Sequence, residues 1–207
     1  MKTPLVIGVC GGSASGKSRL AHYLKTRLGR RASVFCMDWY YRDRGGLPPE
    51  KASKVNFDHP SAIETPLLLS HLKRLLAGDA VDAPIYDYAT SSRLKQTRRV
   101  QPAPVIIIDG IFSLCEPRVQ KLLDLSVYID VPSDVRLVRR IRRDLRERRV
   151  PIEETLRLYE SCVRPMHMKF IGPGAAKATF RWHQLDDSGF RQRLFDGIKR
   201  RLGDGAK

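Results

Sequence analysis

The sequence predicts an α/β fold, a parallel sheet core with helices on both faces and a small β excursion near residues 80–101. Three observations carry that expectation. The stretch GVCGGSASGKSRL fits G-x-x-x-x-G-K-[ST] through Gly11, Gly16, Lys17 and Ser18, and it lies between an apolar run and a helical one. Apolar, strand-like runs alternate with segments of helical period along the chain. One such run, PVIIID, stays apolar until Asp109, as a parallel strand buried on both faces should.

The first strand is PLVIGV, short and rich in β-branched residues. In the loop after it, glycines let the backbone curl so that successive N–H groups converge on a phosphate, where a Cβ would obstruct. Gly11, Gly12, Ser13, Ala14, Ser15, Gly16, Lys17 and Ser18 are therefore the candidate nucleotide-binding set. Lys17 would reach the β and γ phosphates, and the Ser18 hydroxyl would ligate Mg²⁺. In SRLAHYLKTRL, Leu20, Tyr23, Leu24 and Leu28 recur at helical spacing, so a helix dipole would point at the anion. With glycine at about 7% of residues, the bare pattern should arise by chance in on the order of one per cent of chains this long. The flanking strand and helix lower that further.

ASVFCMD reads as a second strand ending at Asp38. The stretch from Tyr40 to Pro60, with Gly45-Gly46 and Pro48-Pro49, reads as a loop around a site. A helix capped at Thr65-Pro66 runs through LLLSHLKRLLA and stops at Gly78. Residues 80–101 are polar and interrupted by Pro84, hence the β excursion. VIIID and LSVYIDVP supply two further strands. DVRLVRRIRRDLRERR follows as an amphipathic helix, with Val135, Val138, Ile141 and Leu145 as its apolar stripe and a basic outer face. PIEETLRLYESCV is another helix, with Ile152, Leu156, Tyr159 and Val163 on one face, ending before Pro165. Beyond Gly172-Pro173-Gly174 come a last strand, ATFRW, and a terminal helix, FRQRLFDGIKRRL. With no repeat or linker, residues 1–207 read as a single domain whose lid spans roughly 140–155.

A length of 207 residues suits one such domain with its own core. No apolar run reaches membrane-spanning length, and the N-terminal one is too short for a signal peptide. Cys10, Cys36, Cys115 and Cys162 form no C-x-x-C pair, so free thiols in a reducing cytoplasm are expected. A net charge of +16 suits nucleic acid, an anionic membrane or a highly charged small substrate. No RNA-module signature accompanies it. The charge is read instead as arginines closing over a triphosphate plus a solvated face, with neither nucleic acid nor membrane expected as partner.

Two aspartates carry the chemistry. Asp109 ends an apolar strand, where an acidic residue would hold Mg²⁺ directly or through water. Asp38 also ends a strand, and strand C-termini gather in the crevice beside the phosphate loop. It would take the proton from an acceptor hydroxyl. An aspartate after a strand is more commonly a turn or helix cap. The aromatics in MDWYYRD, NFDHP and PIYDYATSSR favour a site for a flat ring attached to a polyol. A GTPase would need N-K-x-D, whereas the sole asparagine, Asn56, precedes Phe57.

In order, GGSASGKS, MDWYYRD, NFDHP, APIYDY, VIIIDGI, and DVRLVRRIRRDLRERR running on to YESCVRPMHMKFIGP resemble the uridine (uridine–cytidine) kinase and phosphoribulokinase family over residues 5–174. The resemblance implies a P-loop kinase fold and a cytoplasmic enzyme of nucleoside salvage. ATP, or GTP as an alternative donor, would be used with Mg²⁺ to phosphorylate a nucleoside 5′-hydroxyl, uridine or cytidine first. It implies Asp38 as general base, Arg143 and Arg148 on the phosphates, and Ser18 and Asp109 at the metal. Tyr41, Phe57, Asp58, Tyr86 and Arg140 would surround the nucleoside. A homodimer or homotetramer is implied as well.

Three positions depart from the family pattern. A His-Ser-Arg triplet becomes Ser91-Ser92-Arg93, an E-R-G-R lid becomes Glu147-Arg148-Arg149-Val150, and a glutamine becomes Leu158. All three fall where the family reads the base, so relaxed or redirected base choice is expected. A kinase for another riboside, such as nicotinamide riboside, is the alternative.

Overall fold

A computed structural model describes residues 3–45, 56–88 and 90–203. The predicted loop's Gly46, Pro48 and Pro49 lie outside them. The core is a five-stranded parallel sheet of β1 (Leu5–Cys10), β2 (Ala32–Cys36), β5 (Val105–Asp109), β6 (Leu125–Asp130) and β7 (Phe180–His183), in the order β2-β5-β1-β6-β7. β5 lies between β1 and β2, with Ile107 opposite both Ile7 and Val34. Strand residues alternate between the faces. Ile106 and Ile108 join a cluster with Leu68, Leu72 and Leu75 of α2 (Thr65–Ala77). Val105 and Ile107 join another with Leu20 and Leu24 of α1 (Lys17–Leu28) and Leu194 and Ile198 of the C-terminal helix Phe190–Arg201. The sheet is therefore covered on both faces, as its unbroken apolar runs require. The expected excursion is an antiparallel pair, β3 (Val81–Asp87) and β4 (Ser92–Val100), with a register shift between Pro84 and Tyr86.

Local expectations are corrected at four places. Thr65 is the first residue of α2 and Glu64 its N-cap; the Glu64 carboxylate is occupied by Arg93 at 2.6 Å. The last strand starts at Phe180, because Thr179 turns its hydroxyl to the amide of Ser126 at 3.0 Å.

The arginine-rich segment is a helix, α4 (Ser133–Arg143), that widens into a π-type turn over Asp144–Arg148. Its apolar stripe is not the buried face. Val138 is 48% and Leu145 41% exposed, whereas Arg136 and Asp144 are buried. A buried carboxylate draws the arginines inward, and that reverses the pattern.

The helical path that begins as α5 (Ile152–Leu158) also continues past Pro165. Its face is carried by buried Thr155 and Val163, and Ile152 is exposed. The helical path passes through π-type turns at Tyr159–Val163 and His167–Ile171 around Arg164–Met166. Proline removes one amide and crowds the carbonyl four residues back, and the wider turn accommodates both.

Candidate active site

β1, β2, β5 and β6 deliver their C-terminal ends to one edge of the sheet, where a cleft of about 1270 Å³ opens. The loop after β1 curls because three residues take left-handed backbone, Gly11 (φ 143°), Ala14 (φ 62°) and Gly16 (φ 95°). Gly11 is forced twice over, since a Cβ there would lie 2.7 Å from the Ile129 carbonyl of β6. Gly16 caps α1 with no side-chain hydrogen bond, and the first turn of α1 holds no acid. The helix amides are thus left for an anion. Lys17 Nζ donates to the Gly12 carbonyl at 3.0 Å, folding across the loop it would serve.

Ser18 Oγ donates to Asp109 Oδ2 at 2.6 Å, which brings a hydroxyl and a carboxylate from α1 and β5 together. Asp109 is buried, and Ser18 is the hydrogen-bond partner of its carboxylate. Two hard oxygen donors facing a phosphate loop fit Mg²⁺, which takes one or two protein oxygens and completes its shell with phosphate and water.

Asp38 sits on the single turn Met37–Tyr40 after β2. Its carboxyl is pushed up to about 6, first by burial and then by the Asp109 charge, with Lys17 and Arg148 opposing. Burial also raises Asp58, against the pull of Arg140 and Lys17. Facing these acids is an aromatic wall in which Tyr41 lies 5.3 Å from Phe57 and 5.4 Å from Tyr86 between ring centres. Arg93 fixes the wall from behind, donating to the carbonyls of Tyr41 at 3.0 Å and Tyr40 at 3.2 Å.

From the other side α4 presents its arginines. Arg140 Nη1 reaches Ser13 Oγ at 3.1 Å, joining the helix to the phosphate loop. Arg143 and Arg148 line the same cleft, with Val150 and Leu158.

Thus Ser13, Ala14, Gly16, Lys17, Ser18, Asp38, Tyr41, Phe57, Asp58, Tyr86, Asp109, Arg140, Arg143 and Arg148 converge on one cavity. Gly11, Gly12 and Ser15 shape the loop from behind; Ser15 is wholly buried and its carbonyl accepts from Gln184 at 3.0 Å. Ser91 does not line the cleft. It occupies a left-handed turn before β4 (φ 52°), its carbonyl taken by the Arg44 amide at 3.0 Å.

Three cleft residues escaped sequence reasoning. Tyr88 places its hydroxyl 3.5 Å from Asp38 Oδ2 and its ring 4.5 Å from the Arg148 guanidinium carbon. Gln184 bridges Ser15 and Arg139 (2.7 Å). Asp144 contacts Arg140, Arg143 and Arg148. The last left a trace in the sequence, because Arg140, Asp144 and Arg148 are spaced i, i+4.

The comparisons agree with this geometry. The family model described as "Phosphoribulokinase / Uridine kinase family" matches residues 6–187. The chain is 44% identical over 171 residues to a protein named uridine kinase from Chloroflexus aurantiacus, covering 82% of each. It is 43% identical over 174 residues to one so named from Lactococcus lactis subsp. cremoris, covering 84% of each. In fold it is similar to phosphoribulokinase from Rhodobacter spheroides, at a TM-score of 0.56 and 16% identity, over 82% of this chain and 69% of that one. A phosphate loop, Asp109 at the end of β5, Asp38 on the turn after β2 and an arginine helix in one cleft, together with a match over most of the length, place this chain in the phosphoribulokinase/uridine kinase family.

Proposed function

We propose that this protein is an ATP-dependent nucleoside kinase that transfers the γ-phosphate to the 5′-hydroxyl of uridine or cytidine. The observation that carries the reading is Asp38, a carboxyl raised to about 6 in the same cleft as Lys17 and the phosphate loop, beside the aromatic wall of Tyr41 and Phe57. A base with that proton affinity is ionised at neutral pH and still accepts a proton readily.

In this reading the free amides of the phosphate loop and of the first turn of α1, with Lys17, hold the donor phosphates. Ser18 and Asp109 hold Mg²⁺, which when bound neutralises charge on the β- and γ-oxygens. Tyr41 and Phe57 pack the acceptor, while Asp58 and Arg140 engage its ribose hydroxyls. Asp38 takes the 5′-hydroxyl proton as the oxygen attacks, and Arg143 and Arg148 stabilise the charge spread over the transferring group.

Val150 and Leu158 favour a second reading of the acceptor's base. Both line the cleft and neither offers a hydrogen-bonding group, so base choice is broad or redirected. The ribose and phosphate contacts are unaffected by those two side chains.

Coupled-assay kcat/KM for uridine, cytidine, adenosine and nicotinamide riboside tests both readings. Turnover of uridine or cytidine that disappears in Lys17→Ala, with the far-ultraviolet circular dichroism unchanged, is expected. No turnover with any of the four overturns the nucleoside kinase reading. An exclusive preference for the two pyrimidine nucleosides overturns the relaxed-base reading alone.

A further inference from the structure

Between α4 and the π-type turn after it sits a carboxylate that should not be cheap to keep. Asp144 is 2% exposed, in a cleft lined by both arginines and other acids. Burial of an ion costs several kcal/mol unless it is paired. Asp144 is paired three times. Arg143 donates to Oδ1 from Nε at 3.0 Å and from Nη2 at 2.8 Å. Arg140 Nε lies 3.2 Å from Oδ2 and Arg148 Nε 3.8 Å from Oδ1. The Asp144 carbonyl in turn accepts from the Val150 amide at 3.0 Å, closing the turn that brings Arg148 back.

Resting on the kinase reading above, we infer that Asp144 is a positioning residue that holds three arginines as one unit, Arg143 and Arg148 towards the transferring phosphate and Arg140 between the phosphate loop and the acceptor. The argument is one of donor count. A guanidinium has five N–H donors in a rigid fork. Asp144 engages Arg143 through Nε and Nη2, which leaves Nη1 without an acceptor among the described residues. Arg140 spends Nη1 on Ser13, and its Nε meets Asp144 as an ion contact outside hydrogen-bond geometry. One carboxylate thus fixes the direction of the Arg143 guanidinium, draws Arg140 and Arg148 towards the same point and keeps donors in reserve for phosphate oxygens. It also offsets the mutual repulsion of three cations that would otherwise swing out to water.

Nothing about local helix stability demands this arrangement. An aspartate at an exposed i, i+4 spacing would add only about 0.2–0.5 kcal/mol. Here the acid is buried, and the helix widens into a π-type turn at that residue, a distortion frequent at functional sites. Asp144 touches no reacting atom in this account and acts only through its arginines.

The test separates positioning from simple structural support. Asp144→Asn keeps volume and removes charge. It should lower kcat by about 10- to 100-fold, as a misplacement of about 1 Å does. The Kd of a non-hydrolysable ATP analogue should stay within about threefold or tighten, because the freed arginines still attract phosphate. In an Arg143→Ala background the same substitution should cost far less, since the pair acts as a unit. A drop in kcat matched by equal loss of analogue binding, or an undiminished cost in Arg143→Ala, overturns the inference. Should the variant fail to fold, the wild-type protein decides by ¹⁵N NMR of the Arg143 Nε–H. That resonance should remain protected from exchange when the analogue is added. Its loss would mean that phosphate displaces Asp144, which overturns an anchoring role. Absence of nucleoside turnover in the wild type would instead sink the kinase reading, with the NMR outcome still deciding the role of Asp144.

Discussion

Asp38 illustrates how one side chain serves activity against stability. Its folded carboxyl lies at about 6 against an ordinary 3.8, chiefly through burial and then the neighbouring Asp109 charge. As the proposed base it must be ionised, so kcat/KM should fall about tenfold per unit as pH drops below about 6 and should level off above it. Asp38→Asn should reduce turnover by about 10²–10⁴-fold and abolish that acidic limb. The stability effect has the opposite sign. Because the folded value is raised, the folded state binds the proton more tightly than the unfolded chain does. Its stability is therefore fully present below 3.8 and declines as pH rises through about 6. Asp38→Asn should then raise Tm at pH 7.5, reflecting a gain on the order of 1 kcal/mol for a partly buried group, and the gain should shrink towards pH 4. Thermal unfolding of both proteins at the two pH values checks the sign. A lower Tm for the variant at pH 7.5 would contradict it.

For the α4 element and its π-type turn, position on the surface separates function from solubility. Arg143 and Arg148 line the cleft, whereas Arg146 is exposed and outside it. Substituting either cleft arginine with alanine should lower kcat by about 10³-fold, the value typical of an arginine on a transferring phosphoryl group. Arg146→Ala should change kcat less than about twofold, as surface positions do. Steady-state kinetics of the three variants decide this, and similar small effects at all three would reduce the segment to a solvated basic face. The phosphate loop behaves as an element too. A Cβ on Gly12 would clash with Arg136 Nη1, and Arg136 is buried with its Nε on the Val131 carbonyl at 3.0 Å. Gly12→Ala should push the loop and raise the ATP KM more than it lowers Tm.

Across the whole molecule, the sheet separates two apolar layers, and neither needs the cleft to be filled. Leu72 is wholly buried between α2 and the sheet and lines no part of the cavity. Leu72→Ala should cost about 2–5 kcal/mol of stability. Its kcat/KM at 25 °C should remain near wild type while the protein stays folded. Denaturant titration alongside kinetics checks this separation, and a proportionate loss of kcat/KM in fully folded protein would show the layers coupled to the site. Among the described residues no helix is long and apolar enough to cross a membrane. All four cysteines are free, with Cys10 buried beneath the phosphate loop.

What the amino-acid sequence determined by itself was whatever depends on short spacing. Gly11, Gly16, Lys17 and Ser18 specify the loop, because left-handed backbone and amide convergence are local properties. The apolar runs ending at Asp109 and Asp130 specify buried parallel strands, and strand ends share one crevice in such a sheet. Tertiary structure alone decided which face of α4 is inside. Periodicity favours the stripe of Val138, Ile141 and Leu145, yet the phosphate loop and Asp58 lie across from the arginines, and pairing with buried Asp144 outweighs exposing two aliphatic side chains. The same holds for Tyr88 and Gln184, whose partners lie 50 and 169 residues away in sequence. It holds for Pro165 too, where a π-type turn absorbs the missing amide and the helical path continues to Ile171.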